Sequence, residues 1–249
     1  MLILGLDTST STAGIALVTE DRVVAEARHD TSGRGADLLV TIDSLCRAAS
    51  VAPTDLEAIA IGAGPGSFTG LRIGMATAKG IAFAANRPLW AVSSLAALAE
   101  DAWQEMLRHG TEDQTSPLIG AALDARRGEI FAGWFRNGVA LAPERVLAPQ
   151  ELARWLVEIL GGLGEPEPTV RFAGDAIEAH RDALGSLSGS PSDHNRWLPN
   201  RTPSGVAVAR LALAGNRVDI TRGGAPVYIR PSEAEVKYPD GVPGALRRP

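Results

Sequence analysis

The glycine-rich corner at residues 62–66, Gly-Ala-Gly-Pro-Gly, is the stretch of this chain best suited to holding a phosphate. Backbone N–H groups in such turns form anion-binding concavities, and glycine permits the dihedral angles that they need. The residues that follow exclude two common nucleotide-binding loops. A P-loop needs Gly-Lys-Ser/Thr after Gly64 and four further residues, and a dinucleotide fingerprint needs a third glycine at Thr69. Ser67 lacks the flanking residues of a nucleophile elbow, so we expect it to cap a helix.

Metal and acid–base chemistry have no clear set of residues in the sequence. The four histidines are scattered without a paired spacing, at His29, His109, His180 and His194. We therefore expect each of them to be a surface or structural side chain. The closely spaced carboxylates fall in a loop and near the tail, where solvation is the expected state, at Glu165/Glu167 and Glu233/Glu235.

Composition and charge exclude several classes of function. The chain has 249 residues, 45% hydrophobic and 21% charged, which is typical of one large or two modest globular domains. Its net charge of −5 argues against an independent nucleic-acid binder, which usually presents a basic stripe. The apolar start at residues 1–6 lacks a basic n-region and is too short to span a membrane, so we expect a cytoplasmic protein. Cys46 cannot form an intrachain disulfide and is expected to be a buried, small hydrophobe.

Apolar runs separated by turn residues predict a mixed α/β order of elements. The first group comprises strands at Leu2–Leu6, Gly14–Val18 and Arg22–Arg28, a helix over 36–49, a strand at 58–61, a helix over 69–86, a strand at Leu89–Val92 and a helix to about Arg108. A polar loop at 109–116 then leads into a second group. It comprises strands at 118–123 and Glu129–Phe135, a hairpin at Asn137-Gly138, a helix over 150–160, a strand at 170–173, a helix over 175–183 and a last helix over 203–214. A proline- and glycine-rich tail, residues 232–249, is expected to be flexible.

The predicted helix over 69–86 carries small residues four apart on one face, at Gly70, Gly74, Ala78 and Ala82. A glycine in a helix costs roughly 1 kcal/mol relative to alanine, so two of them on one face indicate a close approach of another backbone. That backbone belongs either to the protein's own sheet or to a partner's helix. The spacing leaves both alternatives open.

The run from Gly64 to Gly74, Gly-Pro-Gly-Ser-Phe-Thr-Gly-Leu-Arg-Ile-Gly, resembles the signature of the TsaB (YeaZ) family, as do Ala78-Lys79-Gly80 and Val92-Ser93-Ser94-Leu95. The match is free of gaps, and weaker similarity covers nearly the whole chain. The resemblance implies an actin/hexokinase/Hsp70-like fold of two lobes. Residues 1–108 would form the first lobe, with the helix at 203–215 packing back on it, and residues 109–202 would form the smaller second lobe.

In such a fold, the turns of Asp7-Thr8-Ser9, Asp124-Ala125-Arg126 and Gly174-Asp175 stand where relatives hold a nucleotide. Each turn lacks a glycine, or both glycines, found in ATP-binding members. We therefore treat Asp7, Thr8, Ser9, Asp124 and Gly174 as an eroded nucleotide site. The chain is expected to bind no cofactor alone, and ATP or ADP only at a complex interface.

The resemblance also implies an absent metal site. The related catalytic subunits, of the TsaD type, carry a His-x-x-x-His pair on the helix after the strand at Leu89–Val92. By register that pair falls on Ser94 and Leu98, neither of which can ligate a metal in that role.

The implied function is a catalytically inactive dimerisation subunit in the synthesis of threonylcarbamoyladenosine (t6A) in tRNA. Its implied partners are a TsaD-type catalytic subunit, a TsaE-type ATPase, a second copy of itself, and tRNA through the complex alone. The expected contact uses the helices over 36–49 and 69–86, with candidate residues Leu38, Leu39, Ile42, Leu45, Gly70, Leu71, Gly74, Ala78 and Ala82. Two alternatives remain: a stand-alone actin-fold ATPase or kinase, and a metallopeptidase of the M22 type.

Overall fold

The first lobe is built on a six-stranded sheet. The computed structural model describes residues 1–30, 36–108, 117–164, 169–184, 197–199 and 201–230. The strands of this sheet are β1 (Ile3–Asp7), β2 (Thr12–Val18), β3 (Val23–Asp30), β4 (Ala58–Gly62), β5 (Leu89–Val92) and β12 (Val218–Asp219). Their order is β12-β5-β4-β1-β2-β3, with β1, β4 and β5 parallel and β2, β3 and β12 antiparallel to their neighbours. The five strands predicted here up to residue 92 are confirmed.

The second sheet repeats this arrangement. Its strands are β6 (Leu118–Arg126), β7 (Glu129–Arg136), β8 (Val139–Ala140), β9 (Arg145–Leu147), β10 (Val170–Gly174) and β11 (Trp197–Pro199). The first of them, β6, pairs antiparallel with β7 and parallel with β10, as β1 does with β2 and β4. Asn137 and Gly138 both have positive φ in the predicted hairpin turn. Two lobes of one topology confirm the actin-like fold class.

Seven α-helices complete the described chain: α1 (Ala36–Ala48), α2 (Phe68–Ala85), α3 (Ser94–Arg108), α4 (Glu151–Leu163), α5 (Ala176–Ala179), α6 (Arg181–Leu184) and α7 (Gly205–Leu213). The single helix predicted over 175–183 is wrong. His180 leaves helical dihedral angles, with φ −128° and ψ 30°, and its ring lies 3.2 Å from Asp124 Oδ1. The tail at 232–249 and the loop at 109–116 lie outside the described residues.

Serine side chains begin three of these helices. The hydroxyl of Ser67 accepts from Gly70 N at 3.3 Å, that of Ser93 from Ala96 N at 3.0 Å, and that of Ser204 from Ala207 N at 2.9 Å. Each hydroxyl satisfies an N–H group that the helix itself leaves unpaired. Asn86 ends α2 in the left-handed region, with φ 51°.

The two sheets share a core around α3 and α7. One hydrophobic cluster contains Ala58 and Ala60 of the first sheet, Ala121 and Leu123 of the second, and six buried residues from each of α3 and α7. Helix α7 lies so close to the first sheet that a Cβ on Gly205 would come within 3.0 Å of Gly5 O and Ala16 N. Within the described ranges, no helix combines the length and apolarity needed to cross a bilayer.

Candidate functional site

The turn after β1 holds a fully buried carboxylate. Asp7 Oδ1 accepts from Ser9 N at 2.8 Å and from Ser9 Oγ at 2.6 Å, and Asp7 Oδ2 accepts from Ser94 Oγ at 2.6 Å. Burial raises the pKa of Asp7 above its ordinary value, and the bonds from Ser9 and Ser94 oppose that shift. The carboxylate is therefore occupied by donors of its own chain.

The start of α2 covers this turn. Ser67 N donates to Ser9 O at 2.7 Å, and Thr8 Oγ1 donates to Gly70 O at 2.8 Å. A Cβ on Gly66 or Gly70 would come within 3.0 Å of the backbone of Ser9 or Thr8. The glycine-rich corner thus lets one segment of the chain lie directly on another, and Thr8 and Ser9 are buried beneath it.

The corresponding turns of the second lobe are also bonded internally. Asp124 Oδ1 accepts from Arg126 N at 2.9 Å, and Asp124 N donates to Asp175 Oδ1 at 2.9 Å. Burial raises the pKa of Asp175. Gly174 has φ +131°, and a Cβ there would lie within 3.0 Å of Ala122 O, so the glycine meets a packing need.

The five residues of the predicted nucleotide site therefore stand at the carboxyl ends of β1, β6 and β10. That is where ligands bind in open α/β sheets. The polar contacts that the structure describes for these five residues are made within the chain. Binding of ATP or ADP at a complex interface stays a prediction.

Ser94 and Leu98, which stand at the predicted register of the catalytic subunits' histidine pair, are both fully buried. Besides donating to Asp7, Ser94 Oγ accepts from Gly64 N at 3.2 Å, so it ties β1 to the glycine-rich corner. A Cβ on Gly174 would lie 3.1 Å from Leu98 Cδ2, which places this leucine against the second lobe. Among the described residues, no three His, Cys, Asp or Glu side chains are grouped to hold a metal ion.

Two polar ties connect the lobes near this site. Ser93 Oγ donates to Glu144 Oε1, and burial raises the pKa of Glu144. On the other side runs a segment that we name the strap, residues 221–230, which follows β12. Val227 N donates to Ala63 O at 2.7 Å, and Arg230 Nη1 donates to Ala125 O at 2.8 Å. The strap therefore passes from the end of β4 to the end of β6.

A buried carboxylate on α3 gives the fold a defined pH dependence. Burial raises the pKa of Asp101 to about 6, against hydrogen bonds from Ser204 N and Ser204 Oγ. The folded state holds this proton up to about pH 6, whereas the unfolded chain loses it near pH 4, so stability falls as pH rises between these values.

Asp101→Asn should remove this pH dependence of stability, because asparagine does not titrate. We expect the free energy of unfolding of the variant, relative to the wild type, to rise by about 2 kcal/mol from pH 4 to pH 7. Urea denaturation at several pH values measures it, and a difference independent of pH would contradict the assignment.

The small-residue stripe of α2 faces the protein's own sheet. Gly70, Gly74, Ala78 and Ala82 are all buried, and so is Leu71. A Cβ on Gly74 would come within 3.0 Å of Thr8 Oγ1. The spacing left two alternatives open, and the close approach is therefore made within the chain itself. This corrects the prediction that the stripe is the close-approach surface for a partner.

The candidate residues of α1 differ in their exposure. Leu38 and Ile42 are buried beside Cys46, Leu45 is half-buried, and Leu39 is exposed. These buried residues share one core cluster with Met75, Ala78 and Ala82 of α2. Only Leu39 among the four is well placed to meet another molecule.

Besides Leu39, the exposed sides of α1 and α2 carry apolar residues that the sequence analysis did not name as contact candidates. Phe83 is 90% exposed and Val40 64% exposed. Ala76, Gly80 and Ala84 are exposed on the same helix as Phe83. We name Leu39, Val40, Ala76, Phe83 and Ala84 the apolar face. The sequence shows that both helices have more apolar residues than one buried stripe can hold, but not which of these residues are exposed.

The fold is that of an actin-like protein of two lobes, and the turns predicted to hold a nucleotide make their described polar contacts within the chain. The model of the TsaD family, tRNA N6-adenosine threonylcarbamoyltransferase, matches residues 35–183. The chain is 34% identical to the tRNA threonylcarbamoyladenosine biosynthesis protein TsaB of Bacillus subtilis, over 96% of this chain and 98% of that protein. It is 29% identical to TsaB of Escherichia coli, over 96% and 99%. The structure of YeaZ from Pseudomonas aeruginosa, 28% identical, has a TM-score of 0.71 and covers 91% of this chain and 99% of its own.

The chain belongs to the TsaB (YeaZ) family, whose members are threonylcarbamoyladenosine biosynthesis proteins. The resemblance seen in the glycine-rich stretch is thereby confirmed. The role of this chain in t6A synthesis follows from that membership.

Proposed function

We propose that this chain is a non-catalytic subunit that binds and supports a TsaD-type catalytic subunit during threonylcarbamoyl transfer to tRNA. The observation that carries the proposal is the state of Ser94 and Leu98. Both are built into the core at the register of the catalytic histidine pair, and Ser94 bonds Asp7 at 2.6 Å. A hydroxyl already engaged and a leucine cannot supply metal ligands.

The turns that would hold a nucleotide support the same proposal. Ser9 brings a hydroxyl and a Cβ to a turn covered by Gly66 and Ser67, and its own carbonyl accepts from Ser67 N at 2.7 Å. A phosphate entering this turn would have to displace the start of α2. The chain alone is therefore expected to bind no nucleotide, and any ATP or ADP would sit at an interface with another subunit.

The apolar face supports a helical contact with the catalytic subunit. It presents a ring on α2 and aliphatic side chains on both helices, whose buried sides share one core cluster. Exposed apolar residues grouped in this way mark interaction sites. Because the partner is a structural relative, a homodimer would use the same face. A TsaE-type ATPase and tRNA would join through the assembled complex, in the cytoplasm.

Charged substitutions on the apolar face test this proposal. Phe83→Asp and Val40→Asp should each weaken binding of the purified TsaD-type subunit at least about 100-fold, because each buries an unpaired carboxylate in the contact. Val157→Asp is the matched control, since Val157 on α4 is 69% exposed and lies in the other lobe. Isothermal titration calorimetry measures the three affinities. Unchanged binding by both face variants would place the contact elsewhere, and absence of binding by the wild-type chain would refute the proposal.

A further inference from the structure

One edge of α2 is strongly basic on an otherwise acidic chain. Helix α2 and the strap together hold four cationic side chains and no acidic one, whereas the whole chain has a net charge of −5. The cations are Arg72, Lys79, Arg222 and Arg230, of which Arg230 pairs with Glu129 of the second lobe. Such local enrichment is the electrostatic footprint of a polyanion site.

The strap fixes part of this edge against α2. Arg72 Nε donates to Tyr228 Oη at 3.2 Å, and Lys79 Nζ donates to Gly224 O. Residues 228 and 224 of the strap therefore lie beside residues 72 and 79 of the helix, which are about 10 Å apart along its axis. Arg222 is exposed two residues before Gly224. We name Arg72, Lys79 and Arg222, with the rings of Phe68 and Tyr228, the basic ridge.

Aromatic rings lie among these charges. The Arg72 guanidinium is 3.8 Å from the centre of the Phe68 ring, and the rings of Phe68 and Tyr228 are 5.1 Å apart. The two rings are 38% and 40% exposed. Stacking on Phe68 and the bond to Tyr228 hold the guanidinium in place, while its two terminal amino groups make no hydrogen bond within the described part of the chain. A preorganised guanidinium loses little entropy when it binds an oxyanion.

We propose that the basic ridge contacts the RNA substrate when this chain is bound to its catalytic partner. A single carboxylate of a partner protein would be satisfied by Arg72 alone. Cations at three positions of α2 and the strap, together with two partly exposed rings, fit a ligand that offers repeated charges and bases able to stack, which is single-stranded or looped RNA. The inference rests on the proposed function, since that function brings tRNA to the complex.

The ridge runs along one edge of the apolar face on α2. Ala76 follows Arg72 by four residues and Phe83 follows Lys79 by four, so each pair lies one turn apart on the same side of the helix. Ile73 packs against the cluster that also contains α1, whereas Arg72 and Lys79 contact the strap. A partner on the apolar face therefore leaves the ridge at the rim of the contact, where RNA held by the partner can reach it.

The test compares tRNA binding by the complex of this chain and its TsaD-type subunit with binding by that subunit alone. The triple variant Arg72→Gln, Lys79→Gln, Arg222→Gln should weaken tRNA binding by the complex about tenfold at 0.15 M salt. It should also make the negative slope of the logarithm of the association constant against the logarithm of the salt concentration shallower by about 2. The matched control, Arg22→Gln, Arg154→Gln, Arg181→Gln, removes the same charge from exposed positions elsewhere and should change neither. Tyr228→Leu should weaken binding with the slope unchanged, because it removes a stacking ring and no charge.

Subunit affinity measured on the same samples separates the outcomes. Equal tRNA affinity and slope for the triple variant and its control would overturn the ridge while leaving the scaffold function intact. Loss of subunit binding in the triple variant would make the ridge a protein contact, which also overturns the inference. If the wild-type chain fails to bind the TsaD-type subunit, the proposed function fails, and the ridge proposal falls with it.

Discussion

Gly70→Ala should destabilise the fold by about 3 kcal/mol or more, the largest effect that we expect from adding one methyl group to α2. The added Cβ would lie within 3.0 Å of Thr8 O, a backbone atom of the buried turn after β1. The turn cannot yield, because Thr8 Oγ1 bonds Gly70 O and Ser9 O accepts from Ser67 N. Overpacking of this kind costs about 1–3 kcal/mol where side chains can adjust, and more where the added group clashes with backbone atoms. Chemical denaturation monitored by circular dichroism measures the change.

Gly80→Ala is the matched control on the same helix. A Cβ at Gly80 would have no atom within 4 Å, so the substitution should stabilise the protein by about 1 kcal/mol through helix propensity. If Gly70→Ala were as well tolerated as Gly80→Ala, the close packing of α2 on the β1 turn would be wrong. The small-residue stripe would then be free to meet a partner.

Asp7→Ala should lower the free energy of unfolding by about 3 kcal/mol. The substitution leaves Ser9 N, Ser9 Oγ and Ser94 Oγ without their acceptor in a buried site, and unsatisfied buried donors are costly. Asp7→Asn should cost less, since its amide oxygen still accepts from Ser9. Urea titration of the two variants measures both effects.

A control variant shows whether Asp7 has a structural role or binds a ligand. Asp43→Ala removes an exposed carboxylate that pairs with Arg47 at 2.7 Å, and it should change stability by less than about 0.5 kcal/mol. If Asp7→Ala were as stable as Asp43→Ala yet inactive in the assembled complex, Asp7 would be a binding group. The internally satisfied turn described above would then be wrong.

Much of the fold was predictable because its signals are local. The β1, β4 and β5 runs are apolar, the Asn137-Gly138 hairpin has a defined turn chemistry, and Ser67 lies at the register of a helix cap. The short strands β9, β11 and β12 were missed, since two or three residues carry no periodicity. The helix break at His180 was missed because it depends on Asp124, 56 residues away.

The site was less predictable, because which side of a helix is buried depends on distant packing. The spacing of Gly70 and Gly74 correctly indicated a close approach, but Thr8 supplies the contact and lies 62 residues before Gly70. The exposure of Phe83 and Val40 follows only once the buried sides of α1 and α2 are known. The hydrogen bond from Ser94 to Asp7 joins two side chains that are 87 positions apart in the sequence, and no local sequence pattern predicts it.

The central claim, that this chain supports catalysis without performing it, is tested most directly by reconstitution. Threonylcarbamoyl transfer to tRNA would be measured with the complete set of pathway proteins, with this chain omitted, and with this chain as the sole transferase candidate. We predict activity in the complete set and none in either of the other two mixtures. Transfer by this chain in the absence of the TsaD-type subunit would contradict the claim and would make the filled turns around Asp7 and Asp124 part of a working active site.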